Sequence, residues 1–174
     1  LVVFPTETVY GLGANALDEA AVGRIYAAKG RPADNPLIVH LADPSDIGRV
    51  ASEVTVTVHR LLEEFAPGPL TVVLPARPEL PRTVTAGLDT VAVRVPAHPV
   101  AHELLTLASV PIAAPSANRS GEPSPTTVEM ARRSLGHAPN AYLDGGPCEV
   151  GLESTVLSVH GDQIRVLRPG AVTE

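Results

Sequence analysis

Apolar residues recur along the chain with two different periods, which predicts intermixed strands and helices. In residues 89–95, Val alternates with Thr, Ala and Arg, which is the two-residue period of a half-buried strand. In residues 56–65, apolar side chains recur three and four positions apart, as in an amphipathic helix. Similar patterns predict strands at 1–4, 36–41, 70–74, 111–114, 141–143, 154–159 and 164–167, and helices at 18–28, 99–107 and 126–135. These elements predict one α/β domain with a mixed β-sheet and a ligand site in a concave face of that sheet.

Helix ends carry sequence signals of their own. Asp18 is predicted to cap the first long helix, and Gly30 to end it. Ser45 is predicted to cap a short helix, and Thr126 to cap the last helix. Residues 6–13 are polar and rich in glycine, so this segment is not assigned to a strand.

Composition narrows the function classes. The chain has 174 residues, of which 44% are hydrophobic, so it can form a full core. Aromatic residues make up only 3% and Trp is absent, which argues against stacking platforms for single-stranded RNA. The net charge of −6 argues against a broad nucleic-acid-binding face, although it permits a local basic pocket.

The cysteine count, the hydropathy and the spacing of the histidines indicate the cellular compartment and whether the side chains could bind a metal. Cys148 is the single cysteine, so no internal disulfide can form. No apolar run approaches the roughly 20 residues that span a membrane, and no signal peptide is visible. His98 and His102 lie four residues apart without the glutamate of an HExxH motif between them. We therefore expect a cytoplasmic protein that does not enter a membrane and does not bind a metal through its own side chains.

A cationic stretch follows the first long helix. Lys29 and Arg31 flank Gly30, and Asp34 is the only carboxylate close to them in sequence. An ammonium group and a guanidinium fork beside a rigid loop suit a phosphate ligand. The alternative is helix capping, because Lys and Arg favour the last turn of a helix.

A polar loop and a charged strand supply further candidates. Ser116, Asn118 and Ser124 lie in residues 115–125, where such side chains either bind a ligand or form local turns. Arg94 shares a strand face with Thr90, about 13 Å away at roughly 3.3 Å per residue. Arg94 on an apolar strand requires either an anionic ligand or a carboxylate partner.

The C-terminal third adds a glycine-rich segment and another cation. Residues 145–155 either cover a ligand or form a hairpin turn. Arg168 precedes Pro169 and is expected to be a free cation. No Ser-His-Asp pattern is present, so the candidate site is rich in cations and hydroxyls and suited to orienting anions.

These segments together resemble the YrdC/Sua5 family of threonylcarbamoyl-AMP synthases. The matching motifs are FPTETVYGLGAN at 4–15, KGRPADNPLIVH at 29–40, PGPLT at 67–71, TVAVRVP at 90–96, AAPSAN at 113–118, GLEST at 151–155 and LRPG at 167–170. The resemblance implies a single α/β domain whose twisted mixed sheet is flanked by helices and holds a large concave cavity. It implies condensation of L-threonine, bicarbonate or CO2, and ATP to threonylcarbamoyl-AMP and pyrophosphate, with Mg²⁺ accompanying ATP.

The resemblance also implies roles for residues. Catalysis is expected of Lys29 and Arg31. ATP contacts are expected from Lys29, Arg31, Asn35, Thr90, Ser116, Asn118, Ser124 and Arg168. L-Threonine contacts are expected from Thr8, His40, Arg94, the backbone at Ala114, and Ser154. Which of Thr8, His40 and Ser154 contacts the threonine hydroxyl stays open at this point.

The family pattern also sets expectations about partners and extent. The product would pass to a complex that modifies tRNA, with weak or indirect tRNA binding by this chain. Family members carry a segment before the position of Leu1, and longer members carry a second domain; we expect residues 1–174 to form one YrdC-like domain without either. The rival interpretations are a double-stranded RNA-binding or ribosome-maturation module, a domain that forms a carbamoyl-adenylate from carbamoyl phosphate, and a purely structural domain.

Overall fold

A computed structural model of the chain describes residues 1–161 and 163–173, so the last residue of the predicted domain, Glu174, lies outside the described residues. Nine strands of this part form one mixed sheet in the order β7-β1-β2-β6-β3-β5-β4-β8-β9. They are β1 Val2–Phe4, β2 Gly11–Asn15, β3 Ile38–His40, β4 Leu70–Pro75, β5 Thr90–Arg94, β6 Ile112–Ala113, β7 Ala141–Tyr142, β8 Thr155–His160 and β9 Gln163–Arg168. Strand β3 runs parallel to β5 and β4 parallel to β8, whereas β4 and β5 are antiparallel. The predicted α/β fold with a mixed sheet is confirmed.

Helices connect these strands. They are α1 Glu19–Lys29, α2 Val56–Phe65, α3 Arg82–Thr85, α4 Pro99–Ala108 and α5 Val128–Leu135, with a 3-10 helix at Pro44–Arg49. The predicted ends of α1 are confirmed: the side chain of Asp18 accepts a hydrogen bond from the backbone of Ala21, and Gly30 adopts the left-handed conformation at φ 59°. No helix among the described residues is long and apolar enough to cross a membrane.

Two elements were not predicted, and β2 shows why. Its sequence is GLGAN, which has none of the β-branched residues that favour strands. Its place is set by neighbours instead, since it pairs with β1 on one side and β6 on the other. A Cβ atom on Gly13 would lie 2.9 Å from side-chain atoms of both Phe4 and Ile112, so glycine is what allows this close packing. The other missed element is the four-residue helix α3.

Two predicted caps were displaced. Asp43, not Ser45, caps the 3-10 helix, because its carboxylate accepts the backbone N–H of Ser45 at 2.8 Å. Thr127, not Thr126, caps α5 through the backbone N–H of Met130. In both cases two neighbouring polar residues are suitable N-caps, and only the backbone conformation decides which of them caps the helix.

The sheet separates an apolar core from a cavity. Val91, Val93 and Val95 are buried in the core, whereas Thr90 and Arg94 line the cavity on the other side of β5. The alternation predicted for residues 89–95 is therefore confirmed. It allows one strand to stabilise the fold with one face and present polar groups to a ligand with the other.

Replacement of Leu12 tests the role of β2 in the core. Leu12 is 0% exposed, so Leu12→Ala is expected to lower the free energy of unfolding by about 2–5 kcal/mol. Leu107→Ala is the control, because Leu107 is 76% exposed and its loss should change stability by less than about 0.5 kcal/mol. Urea unfolding of both variants measures the difference, and equal stabilities would place β2 outside the core.

Candidate active site

A concave cavity of about 520 Å³ opens on the polar face of the sheet. Strands β3, β4, β5 and β8 contribute to its wall, together with loop residues before β2 and after β6. A cavity of this size is within the usual range for small-molecule sites. Among the described residues that line it, Glu153 is the one acidic side chain, whereas Arg31, Arg94 and Arg168 are all present.

Most of the predicted site residues meet at this cavity. Its lining includes Thr8, Arg31, Asn35, His40, Thr90, Arg94, Ala114, Ser116, Ser154 and Arg168. Lys29, Asn118 and Ser124 are not part of this lining but lie next to it: Lys29 bonds to the backbone at Ser116 and Asn118, and Ser124 bonds to Glu153. The structure thus brings the set together, and the individual roles in binding and catalysis stay predictions.

Lys29 is buried and connects the end of α1 to the loop after β6. Its ammonium group donates to the carbonyl oxygen of Ser116 at 2.6 Å and to that of Asn118. Burial, aided by the nearby charge of Arg31, lowers the pKa of Lys29 to about 8. Because the ammonium bonds to another loop, the helix-capping interpretation does not account for Lys29.

Arg31 is held at the cavity wall by backbone and amide oxygens. Its guanidinium donates to the carbonyl and side-chain oxygens of Asn35, at 3.0 and 2.7 Å, and to the carbonyl of Pro36 at 2.8 Å. None of these partners carries a charge. Arg31 therefore lines the cavity as a cation to which no carboxylate of the described residues is bonded.

Arg94 has the carboxylate partner that was one of its two predicted alternatives, and the anionic ligand stays a prediction. It lines the cavity, and its guanidinium pairs with the carboxylate of Glu7 at 2.6 Å. It also donates to Thr8 Oγ1 at 2.9 Å and to the carbonyl of Gly68 at 3.2 Å. Sequence reasoning missed Glu7, because a partner 87 residues away leaves no local signal.

Arg168 is not the free cation that was expected. Its guanidinium forms an ion pair with Glu153, and it donates to the carbonyl and hydroxyl of Ser154 at 2.8 and 3.1 Å. Glu153 also accepts a hydrogen bond from Ser124 at 2.8 Å. The sequence offered one signal for this pairing, the charged residue beside Ser154 in the GLEST motif.

The glycine-rich segment is not a hairpin turn. It joins β7 to β8, which pair with β1 and β4 respectively and are not neighbours in the sheet. The segment runs beside the loop that precedes β2: Tyr10 donates to the carbonyl of Gly146 at 2.7 Å, and Val150 donates to the carbonyl of Glu7 at 2.9 Å. It ends by placing Glu153 and Ser154 in the cavity wall.

His40 differs from Thr8 and Ser154, the other side chains that were candidates for contact with the threonine hydroxyl. It is 4% exposed, and its Nδ1 atom has no hydrogen-bond partner. Burial, together with the charge of Arg94, lowers the pKa of His40 to about 3, so the ring is neutral at neutral pH. By contrast, Thr8 Oγ1 already bonds to Thr6 and Arg94.

Comparison with known proteins places the chain in a family. A family model that covers the Sua5, YciO and YrdC proteins and is described as "Telomere recombination" matches residues 1–170. The chain is 52% identical to the threonylcarbamoyl-AMP synthase of Pyrococcus abyssi over 99% of its own length and 51% of that protein. It is 51% identical to the Bacillus subtilis protein of the same name over 100% of its own length and 51% of that protein.

Solved structures agree with the sequence match. The structure described as P. abyssi Sua5 complexed with L-threonine superposes with a TM-score of 0.95 at 53% identity, over 98% of this chain and 50% of that chain. The chain belongs to the Sua5/YciO/YrdC family. It spans about half the length of these relatives.

The low pKa of His40 predicts an acid-dependent loss of stability. The folded protein keeps His40 neutral down to about pH 3, whereas the unfolded chain takes up a proton below about pH 6.5. Acid therefore favours unfolding, by at most about 1.4 kcal/mol per pH unit between these values. His40→Gln should lose less stability than the wild type between pH 7 and pH 5 in urea unfolding.

The exposed His59 supplies the control for this experiment. His59→Gln is expected to follow the wild-type pH profile. Equal slopes for His40→Gln and the wild type would show that His40 is not buried in its neutral form.

Proposed function

We propose that this chain forms threonylcarbamoyl-AMP from L-threonine, bicarbonate or CO2, and ATP, with release of pyrophosphate. The observation that carries the proposal is a single cavity with polar groups at both ends of β5. Thr90 and Arg94 line it about 13 Å apart. A cavity of this length suits two substrates placed side by side. The names of the relatives, which share about half of their sequence with this chain over the matched region, support the same activity.

The register of the sheet supports a separate end of the cavity for each substrate. His40 pairs with Arg94 and Ile38 pairs with Ala92, so the loop before β3 lies near Thr90. Arg31 bonds to Pro36 in that loop, which puts its guanidinium at the Thr90 end. In our proposal ATP lies towards the Thr90 end, and threonine lies towards Arg94 and His40.

The proposed reaction joins two anions, so electrostatics set much of its barrier. A carbamate oxygen of carboxylated threonine would attack the α-phosphorus of ATP, and pyrophosphate would leave. The guanidinium of Arg31 would stabilise the charge that develops on the phosphates, while Lys29 would fix the loop that carries Ser116. Arg94 retains N–H groups beyond those bonded to Glu7, Thr8 and Gly68, and these could hold the threonine carboxylate.

Mg²⁺ is proposed as the companion of ATP. Among residues 1–161 and 163–173, no three His, Cys, Asp or Glu side chains lie close enough together to hold a metal ion. The residues present thus fit an ion that is bound by the phosphate oxygens of the nucleotide and by water, as Mg²⁺ often is. Such an ion would neutralise part of the triphosphate charge.

His40 is our candidate for the group that contacts the threonine hydroxyl. Thr8 Oγ1 bonds to Thr6 and Arg94, and the Ser154 hydroxyl bonds to Thr71 at 2.7 Å and to Arg168. Only the Nδ1 atom of His40 lacks a partner among these three described side chains. Because His40 lines the cavity, a small rotation of its ring would let this neutral nitrogen accept the hydroxyl donor of a bound threonine.

The proposed product would be used by a separate tRNA-modifying complex in the cytoplasm. An adenylate is an activated acyl group, so it is suited to transfer to tRNA in a later step. The concave cavity suits the small substrates, and the net charge of −6 is in keeping with weak or indirect contact with tRNA itself.

Direct detection of the product tests the proposal. The purified chain is incubated with ATP, Mg²⁺, L-threonine and bicarbonate, and threonylcarbamoyl-AMP is measured by mass spectrometry. Reactions without threonine or without bicarbonate are the controls. Pyrophosphate release that requires carbamoyl phosphate instead of threonine would favour the rival carbamoyl-adenylate activity, and the absence of any adenylate would contradict both.

Replacement of Arg31 tests whether the Thr90 end of the cavity binds the phosphates of ATP. Arg31→Ala is expected to lower turnover about 100-fold, because it removes a fixed cation from the proposed transition state. Its bonds involve only its own loop, so the melting temperature should change little. Arg60→Ala, at an exposed position on α2, is the charge-matched control and should retain activity. Wild-type turnover in Arg31→Ala would remove Arg31 from the chemistry.

His40 is tested by substrate discrimination. The wild type is expected to prefer threonine strongly over 2-aminobutyrate, which lacks only the hydroxyl. His40→Phe should reduce the ratio of the two kcat/KM values by about tenfold or more, while keeping the edge contact with Phe4. His59→Phe is the control. An unchanged ratio in His40→Phe would assign the hydroxyl to another group.

A further inference from the structure

Glu153 occupies an unusual position for a carboxylate. It lies in the wall of a cavity that is otherwise lined, among the described residues, by cations and uncharged groups. Its two oxygens bond to Arg168 and to the hydroxyl of Ser124. Both partners are residues that the family resemblance assigns to ATP. The carboxylate therefore satisfies groups that a phosphate would use.

The charge of Glu153 also acts on two further cations, Lys29 and Arg31. Burial lowers the pKa of both Lys29 and Arg31, and the charge of Glu153 acts in the opposite direction on each of them. Hence one carboxylate stabilises the charges of three cations, Lys29, Arg31 and Arg168. The negative charge of a bound triphosphate is expected to stabilise the same three cations.

The contacts of Glu153 allow it to move, unlike those of Glu7. The side chain of Glu7 is 10% exposed, and its carboxylate also accepts a backbone N–H from Ala97, so the pair with Arg94 is enclosed. The side chain of Glu153 is 38% exposed, and the bonds described for its carboxylate come only from side chains. A half-exposed ion pair of this kind costs little to break.

We propose that Glu153 is a built-in competitor of the nucleotide phosphates. In the free protein its carboxylate occupies Arg168 and Ser124, and phosphate groups must displace it to reach them. This inference rests on the proposed function, because it takes ATP as the ligand. A polyphosphate can displace the carboxylate because it brings more negative charge, and Glu153 thereby lowers the affinity for ligands that place an anion on Arg168 and Ser124.

Removal of this charge should strengthen ATP binding. Glu153→Gln keeps the shape of the side chain and is expected to bind ATP about fivefold more tightly than the wild type. Adenosine, which has no phosphate, should bind equally to both. Calorimetric titrations without threonine measure the two affinities, and this contrast would not arise from a merely structural role.

Glu149→Gln is the matched control, because it makes the same change in net charge at an exposed position outside the cavity lining. It should bind ATP as the wild type does. A second measurement follows Arg168 itself by NMR. The signal of its Nε–H group should move when ATP is added to the wild type, and it should already be displaced in nucleotide-free Glu153→Gln.

Three results would contradict the inference. Unchanged ATP affinity in Glu153→Gln would show that the carboxylate does not compete. Weaker ATP affinity would show that Glu153 helps to bind the nucleotide, and equal gains for ATP and adenosine would show a general structural effect. If the wild type itself does not bind ATP, the proposed function fails as well, which distinguishes that case from failure of the inference alone.

Discussion

The buried ammonium group of Lys29 is the contact on which the cavity depends. It connects the C-terminal end of α1 to the carbonyls of Ser116 and Asn118, which are 87 and 89 residues away in sequence. An ammonium group without bonds would be costly at this depth, so the chain must bring the loop to it. The loop in turn carries Ser116 into the cavity wall. The fold and the geometry of the site are therefore linked through one charged side chain.

The cations around the cavity are compensated in three different ways. Lys29 and Arg31 bond to uncharged oxygens, Arg94 pairs with an enclosed carboxylate, and Arg168 pairs with one that is half exposed. This arrangement lets an acidic protein of net charge −6 keep a cavity wall that carries three arginines. An enclosed ion pair such as that of Glu7 with Arg94 is harder to break than a half-exposed pair such as that of Glu153 with Arg168.

Helices and strands could be predicted from the sequence wherever interactions between residues close in sequence determine them. The strand β5 and the helix α2 were predicted from periodicity, and the ends of α1 from Asp18 and Gly30. The strand β2 could not be predicted, because its Gly13 is required by close packing against the side chains of Phe4 and Ile112, which lie in two other strands. The displaced caps at Ser45 and Thr126 have a similar origin, since neighbouring polar residues offer equivalent bonds until the backbone path is fixed.

The sequence by itself determined the α/β class, the apolar face of β5 and the residues that resemble a known family's site, because these depend on residue types at fixed spacings. Only the tertiary structure decided how the charges are paired. Glu7, in the loop before β2, pairs with Arg94 at the end of β5, and Glu153, in the loop before β8, pairs with Arg168 at the end of β9. Local sequence patterns do not record such contacts between separate segments. The unpartnered nitrogen of His40 is likewise a property of the packed interior, since a hydrogen bond is absent only with respect to all surrounding residues.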